Sequence, residues 1–217
     1  VRLVLWVIIV LIVADQLGIP VTSLVALLSV VSLAVSLAVQ SVLSNIAGGL
    51  VILVTKPFQL GDLVETADGL GTVKEISLTF TKLETPDGLW LMTPNSVLSS
   101  GKITNYTALG RRRAEIRVGA SYDAAVSDVR AACLDAAARV PGVLPDPAPI
   151  VYVDSYGESS ISYIVRVWCR SEDYTDVYYG LTEGLKAAFD EHGVEMPYNH
   201  LNIHILDQTE QKEKQTV

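Results

Sequence analysis

Residues 20–55 carry no charged side chain, and the rest of the chain is attached to the two ends of that stretch. As one straight helix it would be roughly 50 Å long at ~1.5 Å per residue, well beyond the ~30 Å hydrocarbon core of a bilayer. A single membrane crossing followed by a bend is therefore expected. The charges divide in the same way. Within residues 1–57 only Arg2, Asp15 and Lys56 are charged, in a chain of 217 residues that is 50% hydrophobic and has a net charge of −8. This asymmetry predicts an apolar membrane segment followed by a soluble part of one or two small domains.

Residues 1–19 read as a partial transmembrane helix, apolar apart from Arg2 as far as Val13, with Asp15, Gln16, Gly18 and Pro20 marking its end and a turn. So short a connection predicts that the next helix runs back antiparallel beside it. The chain begins with Val1 and is apolar at once, so it is expected to be a piece of a longer protein. Arg2 ahead of an apolar run is also the pattern of a secretory signal, but no small-x-small cleavage site follows, and a longer apolar run does.

Residues 20–57 form the expected pore-lining helix. The sequence SLAVSLAV places Ser32 and Ser36, Leu33 and Leu37, and Ala34 and Ala38 four residues apart, and on a helix such pairs stack on nearly one face. Ala26, Ser29, Ser32, Ala34, Ser36 and Ala38 are small, which permits close helix–helix approach in a membrane. Leu33 and Leu37 would make two stacked apolar rings if several copies gathered round an axis. Further on, Gln40, Ser41, Ser44, Asn45 and Gly48 share one face, opposite Val42, Leu43, Ile46, Leu50, Leu53 and Val54. A bend at Gln40-Ser41 or at Gly48-Gly49 would let the first half cross the bilayer and the second lie along its surface. Lys56, Pro57 and Phe58 form the membrane-to-cytosol corner, where Pro57 stops the helix and Lys56 marks the cytosolic side.

Residues 58–110 change texture, with short β-rich runs broken by Gly61-Asp62, Asp68-Gly69, Pro86-Asp87-Gly88 and Pro94-Asn95, and predict a small β-barrel or sandwich. Small barrels can bind RNA. Here Lys74, Lys82 and Lys102 are outnumbered by acidic residues, so nucleic acid is not expected as a partner. Arg111, Arg112 and Arg113 read as a solvated linker or salt-bridge donors. Residues 111–200 then alternate as an α+β domain. Asp123 is the expected cap of a helix with Val126, Val129, Cys133, Leu134 and Ala137 on its apolar side. Strands are expected over 150–153 and 161–168, and a second helix over 175–192 carries Val177, Leu181, Leu185 and Phe189, ending at Gly193. Residues 201–206 alternate as a last strand, and 207–217 form a charged tail.

No constellation for catalysis is present: no GxSxG, phosphate-cradling glycine loop or HExxH. His200 and His204 on one strand would stand ~13 Å apart, too far to hold one ion within a chain. Neither a metal nor a cofactor is expected. Cys133 and Cys169 stand alone, as in a reduced, cytosolic setting.

Several runs are specific: LAVQSVLSNIAGGLVILVTKPFQLGD at 37–62, GLGTVKEISLTFTKLETPDG at 69–88, TPNSVLSSGKITNY at 93–106, VGASYDAAVSDV at 118–129, and VRVWCRSEDYTDVYYGLTEGLKAAFDEHGVEMPYN at 165–199. In these runs and their order the chain resembles the bacterial small-conductance mechanosensitive (MscS-like) channel family. The resemblance implies membrane helices, a small all-β (Sm-like) barrel, an α+β ferredoxin-like domain, and a C-terminal strand in an intersubunit β-barrel. It implies a homoheptamer in the bacterial cytoplasmic (inner) membrane, multi-pass, with its C-terminal domains in the cytosol. Its partners would be membrane lipids and the permeating ions and small solutes. Leu33 and Leu37 fall at the family's two constriction rings, and Gln40-Ser41 at its bend. Ser41 stands where the family prototype has Gly, as do Ser29, Ser32 and Ser36 at positions often Gly there. Lys56 and Gln59 replace basic residues. The implied function is a channel opened by membrane tension, releasing ions and small solutes during hypoosmotic stress. The alternatives are a membrane-anchored cytosolic binding or assembly module and a ligand-regulated pore.

Overall fold

A computed structural model describes residues 2–18, 21–201 and 203. The chain divides into two compact units, Val1–Ala108 and Leu109–Val217.

The first unit begins with helix α1, Arg2–Gln16. Gly18 follows at φ +77°, the left-handed conformation that glycine adopts without steric cost. Helix α2, Val21–Thr55, comes next, and the two helices flank a groove of about 330 Å³ walled by Trp6, Val10, Leu11, Leu24 and Leu28. Among the described residues α2 alone is long and apolar enough to cross a membrane. It is hydrogen-bonded without interruption through Gln40-Ser41 and through Gly48-Gly49. Both pairs lie inside the helix rather than at a break in it, because its i→i−4 ladder needs only backbone amides, and neither pair contains a proline.

Five antiparallel strands follow: β1 (Leu63–Thr66), β2 (Gly69–Ile76), β3 (Phe80–Glu84), β4 (Trp90–Pro94) and β5 (Thr104–Asn105). Their sheet order is β4-β3-β2-β1-β5, so β4 and β5 are its edges, with no pairing between them among the described residues. Pro94-Asn95, expected as a turn, instead opens a short helix, α3 (Asn95–Ser100). Proline fixes the dihedral before the helix and has no amide to leave unpaired. Val64, Val73, Leu83 and Leu98 form the core together with Phe58 and with Ile52 of α2. The last third of the long helix is thus built into the β unit.

The second unit holds strand β6 (Arg111–Ala120), helix α4 (Val126–Arg139), strands β7 (Ile150–Tyr156) and β8 (Ile161–Arg170), and helix α5 (Tyr174–Glu191). The antiparallel order is β6-β8-β7. The arginine triplet belongs to β6 and not to a linker. Alternation sends Ala114 and Ile116 inward and lets Arg113 pair with Glu115 at 2.7 Å. Asp123 caps no helix: Ala125 is the N-cap of α4, and the Asp123 amide donates to Ser121 Oγ. The core face of α4 is Val129, Ala132, Cys133, Ala136 and Ala137, with Val126 and Leu134 exposed. On α5, Val177, Leu181, Leu185 and Phe189 are all buried. Gly193 at φ +66° lets the Val194 amide reach Phe189 O at 2.9 Å, closing the helix end. Of the strand expected over 201–206, Leu201 and Ile203 are described and carry no regular secondary structure. The rest of it, and the tail at 207–217, lie outside the described residues.

The candidate pore helix and its junction with the β unit

Beyond the groove it shares with α1, the first half of α2 is exposed among the described residues. Leu33 and Leu37 are each 61% exposed, as are Leu27, Val30 and Val35 to similar extents. Ala26, Ser32, Ala34, Ser36 and Ala38 are exposed beside them. Ser29 is exposed too, and its hydroxyl donates to Val25 O at 2.8 Å, so its polarity is satisfied inside the helix. So much bare apolar surface requires lipid or other helices around it.

The second half is different. Ile52, Gly48 and Gly49 are buried, and the two glycines are where backbones meet. A Cβ on Gly48 would sit 2.6 Å from Asn95 O, and one on Gly49 2.6 Å from both Leu78 O and Asn95 Nδ2. Asn45 Oδ1 accepts hydrogen bonds from the Ser96 amide at 3.1 Å and the Ser96 hydroxyl at 2.7 Å. A side chain of α2 thereby caps the first turn of α3, whose own residues supply no side-chain cap. Asn95 is fully buried. Its Nδ2 donates to Ser77 O at 2.8 Å, and its Oδ1 accepts from Thr81 Oγ1 at 2.8 Å. Gln40, Ser41 and Ser44, with Leu37 above them and Asn45 and Ser96 below, line an open polar cleft of about 400 Å³.

Asn95 and Ser96 were not foreseen as site residues. An Asn in an otherwise apolar helix is a visible signal for Asn45, but nothing local marks its partner across the fold. Gly48 and Gly49, expected to bend the helix, here permit its close approach to the β unit.

At the corner, the Lys56 amide makes the last helical bond, to Ile52 O at 2.9 Å, at φ +47°. Pro57 then stops the helix, and Phe58 inserts into the β core at 2% exposure. Asp62 follows. Partial burial pushes its carboxyl up, but hydrogen bonds from Asn105, the Gln59 amide and Thr107 outweigh that and hold it below the usual carboxylate range.

No cluster able to hold a metal ion exists among the described residues. His192 Nε2 lies 3.1 Å from Asp135 Oδ2, the amide of His200 donates to Ser159 Oγ, and His204 lies outside the described residues. Cys133 and Cys169 are free and buried. Burial pushes the Cys133 thiol up to about 12, far from the reactive thiolate.

Three family profiles match in succession: "Mechanosensitive ion channel, transmembrane helices 2/3" over residues 1–40, "Mechanosensitive ion channel, beta-domain" over 41–108, and "Mechanosensitive ion channel MscS, C-terminal" over 114–196. An uncharacterized MscS family protein of Synechocystis sp. is 34% identical over 91% of this chain and 67% of its own length. A small-conductance mechanosensitive channel of Edwardsiella ictaluri is 33% identical over 80% of this chain and 60% of its own. The chain therefore spans about two thirds of the length of these curated relatives. The crystal structure of Helicobacter pylori MscS in its closed state superposes with a TM-score of 0.86 at 29% identity, covering 95% of this chain and 82% of that one.

Proposed function

Because the chain belongs to the MscS family of mechanosensitive ion channels, we propose that its pore is opened by membrane tension and passes ions and small solutes during hypoosmotic stress. It is a channel component and not an enzyme. The observation that carries this reading is the division of α2. Its first half is charge-free and exposed, and its last third is packed into the β unit through Asn45, Gly48, Gly49 and Ile52.

In this reading seven copies assemble in the bacterial inner membrane, with the β and α+β units on the cytosolic side. Ala26, Ser29, Ser32, Ala34, Ser36 and Ala38 let neighbouring helices approach. Leu33 and Leu37 then form two apolar rings that keep the closed pore free of water. Tension favours the conformer of larger in-plane area. The helices tilt about Gln40-Ser41 or Gly48-Gly49, while Lys56, Pro57 and Phe58 hold their ends at the β unit. Lipids occupy the outer apolar surface.

The test is single-channel recording from the purified full-length protein in liposomes under graded suction. Currents evoked by tension alone support the channel. Solute-dependent currents without tension would replace it with a ligand-regulated pore, and silence at lytic tension with a membrane-anchored module.

A further inference from the structure

We propose that Asp62 is a positioning residue for gating, clasping the end of the pore helix to the segment through which the chain leaves the membrane-attached unit. This rests on the channel reading given above.

The clasp is built from one carboxylate. Asp62 Oδ2 accepts from the Gln59 amide at 2.8 Å and from Asn105 Nδ2 at 2.9 Å, while Oδ1 accepts from Thr107 Oγ1 at 2.8 Å. Each partner reaches further. Asn105 Nδ2 lies 3.4 Å from Pro57 O, and Asn105 Oδ1 accepts from the amides of Thr107 at 3.0 Å and Ala108 at 2.9 Å. Thr107 Oγ1 accepts from the Leu63 amide at 3.1 Å. Gln59, Asn105 and Thr107 thus meet at a single side chain, Asn105 and Thr107 carry the joint on to Pro57, Leu63 and Ala108, and Ala108 is the last residue of the first unit.

The strand ladder alone would hold this junction weakly. β5 pairs with β1 only at Val64–Asn105 and Glu65–Thr104. The Tyr106 amide adds one bond to Leu63 O, and the Tyr106 hydroxyl another to Glu65 Oε2. Hydrogen bonds to an ionised group are roughly twice as strong as neutral ones, so the carboxylate is the stiffest element of the joint. Movement of Lys56 and Pro57 at the foot of α2 therefore passes directly to residues 105–108 without crossing the sheet. Loosening the clasp frees the foot of the helix and lowers the work of moving it.

The experiment compares the full-length channel with Asp62→Asn, Thr107→Val, and the exchanged pair Asp62→Asn with Asn105→Asp. In the exchanged pair, the side-chain amide introduced at position 62 donates to the carboxylate introduced at position 105, which keeps its second oxygen for the amides of residues 107 and 108; the Gln59 amide and Pro57 O lose their partners, so the recovery is partial. Midpoint tension is read in patches, thermal midpoint on the purified oligomer, and amide exchange at residues 107 and 108. The expected result is a shift to lower midpoint tension in both single variants, faster exchange at 107 and 108, and a return toward wild type on both readouts in the exchanged pair. Single variants that melt lower but open at the wild-type tension would reduce Asp62 to a structural role and overturn the proposal, as would an exchanged pair that restores nothing. If Asp62→Asn does not assemble, Thr107→Val, which removes the bond to Asp62 and the one from the Leu63 amide, decides by the same two readouts. Loss of tension response in the wild type would instead sink the channel reading, and the exchange data would still report on the clasp.

Discussion

Gly49 lets α2 approach Leu78 and Asn95 closely, and that contact makes a quantitative demand. Alanine at a helix interior is favoured over glycine by about 1 kcal/mol, so Gly49→Ala on an isolated helix would stabilise. Here its Cβ would meet Leu78 O and Asn95 Nδ2 at 2.6 Å, one of them a backbone atom that cannot rotate away. Overpacking of this kind costs about 1–3 kcal/mol and wins. Gly49→Ala is expected to lower the thermal midpoint of the channel and alter its gating, and an unchanged midpoint would mean that α2 slides freely on the β unit. Asp62 sets a second expectation at this scale. Its folded-state carboxyl lies below its unfolded value, so its contribution is complete above about pH 4 and is lost as the pH falls through the lowered folded value. Thermal stability should show no step from Asp62 between pH 8 and 5. Its acid loss should be smaller in Asp62→Asn, measured by melting at pH 3 and at pH 6.

Among the elements, α2 carries the argument, since one hydrogen-bonded helix runs from an exposed apolar half into a packed half. Ser41 lies inside it, at the edge of the polar cleft beside Gln40. Ser41→Gly removes roughly 0.5 kcal/mol of local helix stability. If the helix tilts there during opening, the variant should change the rate of opening or of inactivation in patch recordings while leaving conductance unaltered. Identical kinetics would move the hinge to Gly48-Gly49. The two helices of the second unit contrast in how far pattern alone foretold them. The i, i+4 spacing of Val177, Leu181, Leu185 and Phe189 predicted their shared burial on α5. On α4 the helix starts two residues beyond Asp123, at its N-cap Ala125, and the Ser121 hydroxyl engages the Asp123 amide. A polar residue ahead of an apolar run signals a helix start only to within a turn.

For the whole molecule, the role proposed for Leu33 and Leu37 requires an assembly, since in one chain they are simply exposed. Replacing either with Ser adds a hydroxyl that hydrates a narrow pore and should lower the opening tension. An unchanged threshold would remove that residue from the constriction, whatever the number of subunits. Much of the rest was written in the sequence because it depends on neighbours in the chain. A charge-free run of this length has few environments other than a membrane, alternation with turn residues makes strands, and Pro57 stops a helix wherever it stands. Tertiary structure decided what depends on residues far apart. It made Gly48 and Gly49 a contact with the β unit, gave Asn45 its partner on α3, and drew Gln59, Asn105 and Thr107 around the Asp62 carboxylate. Hydrogen bonds between residues some 40 to 50 positions apart leave no periodicity to read, and only the folded backbone brings their atoms within reach.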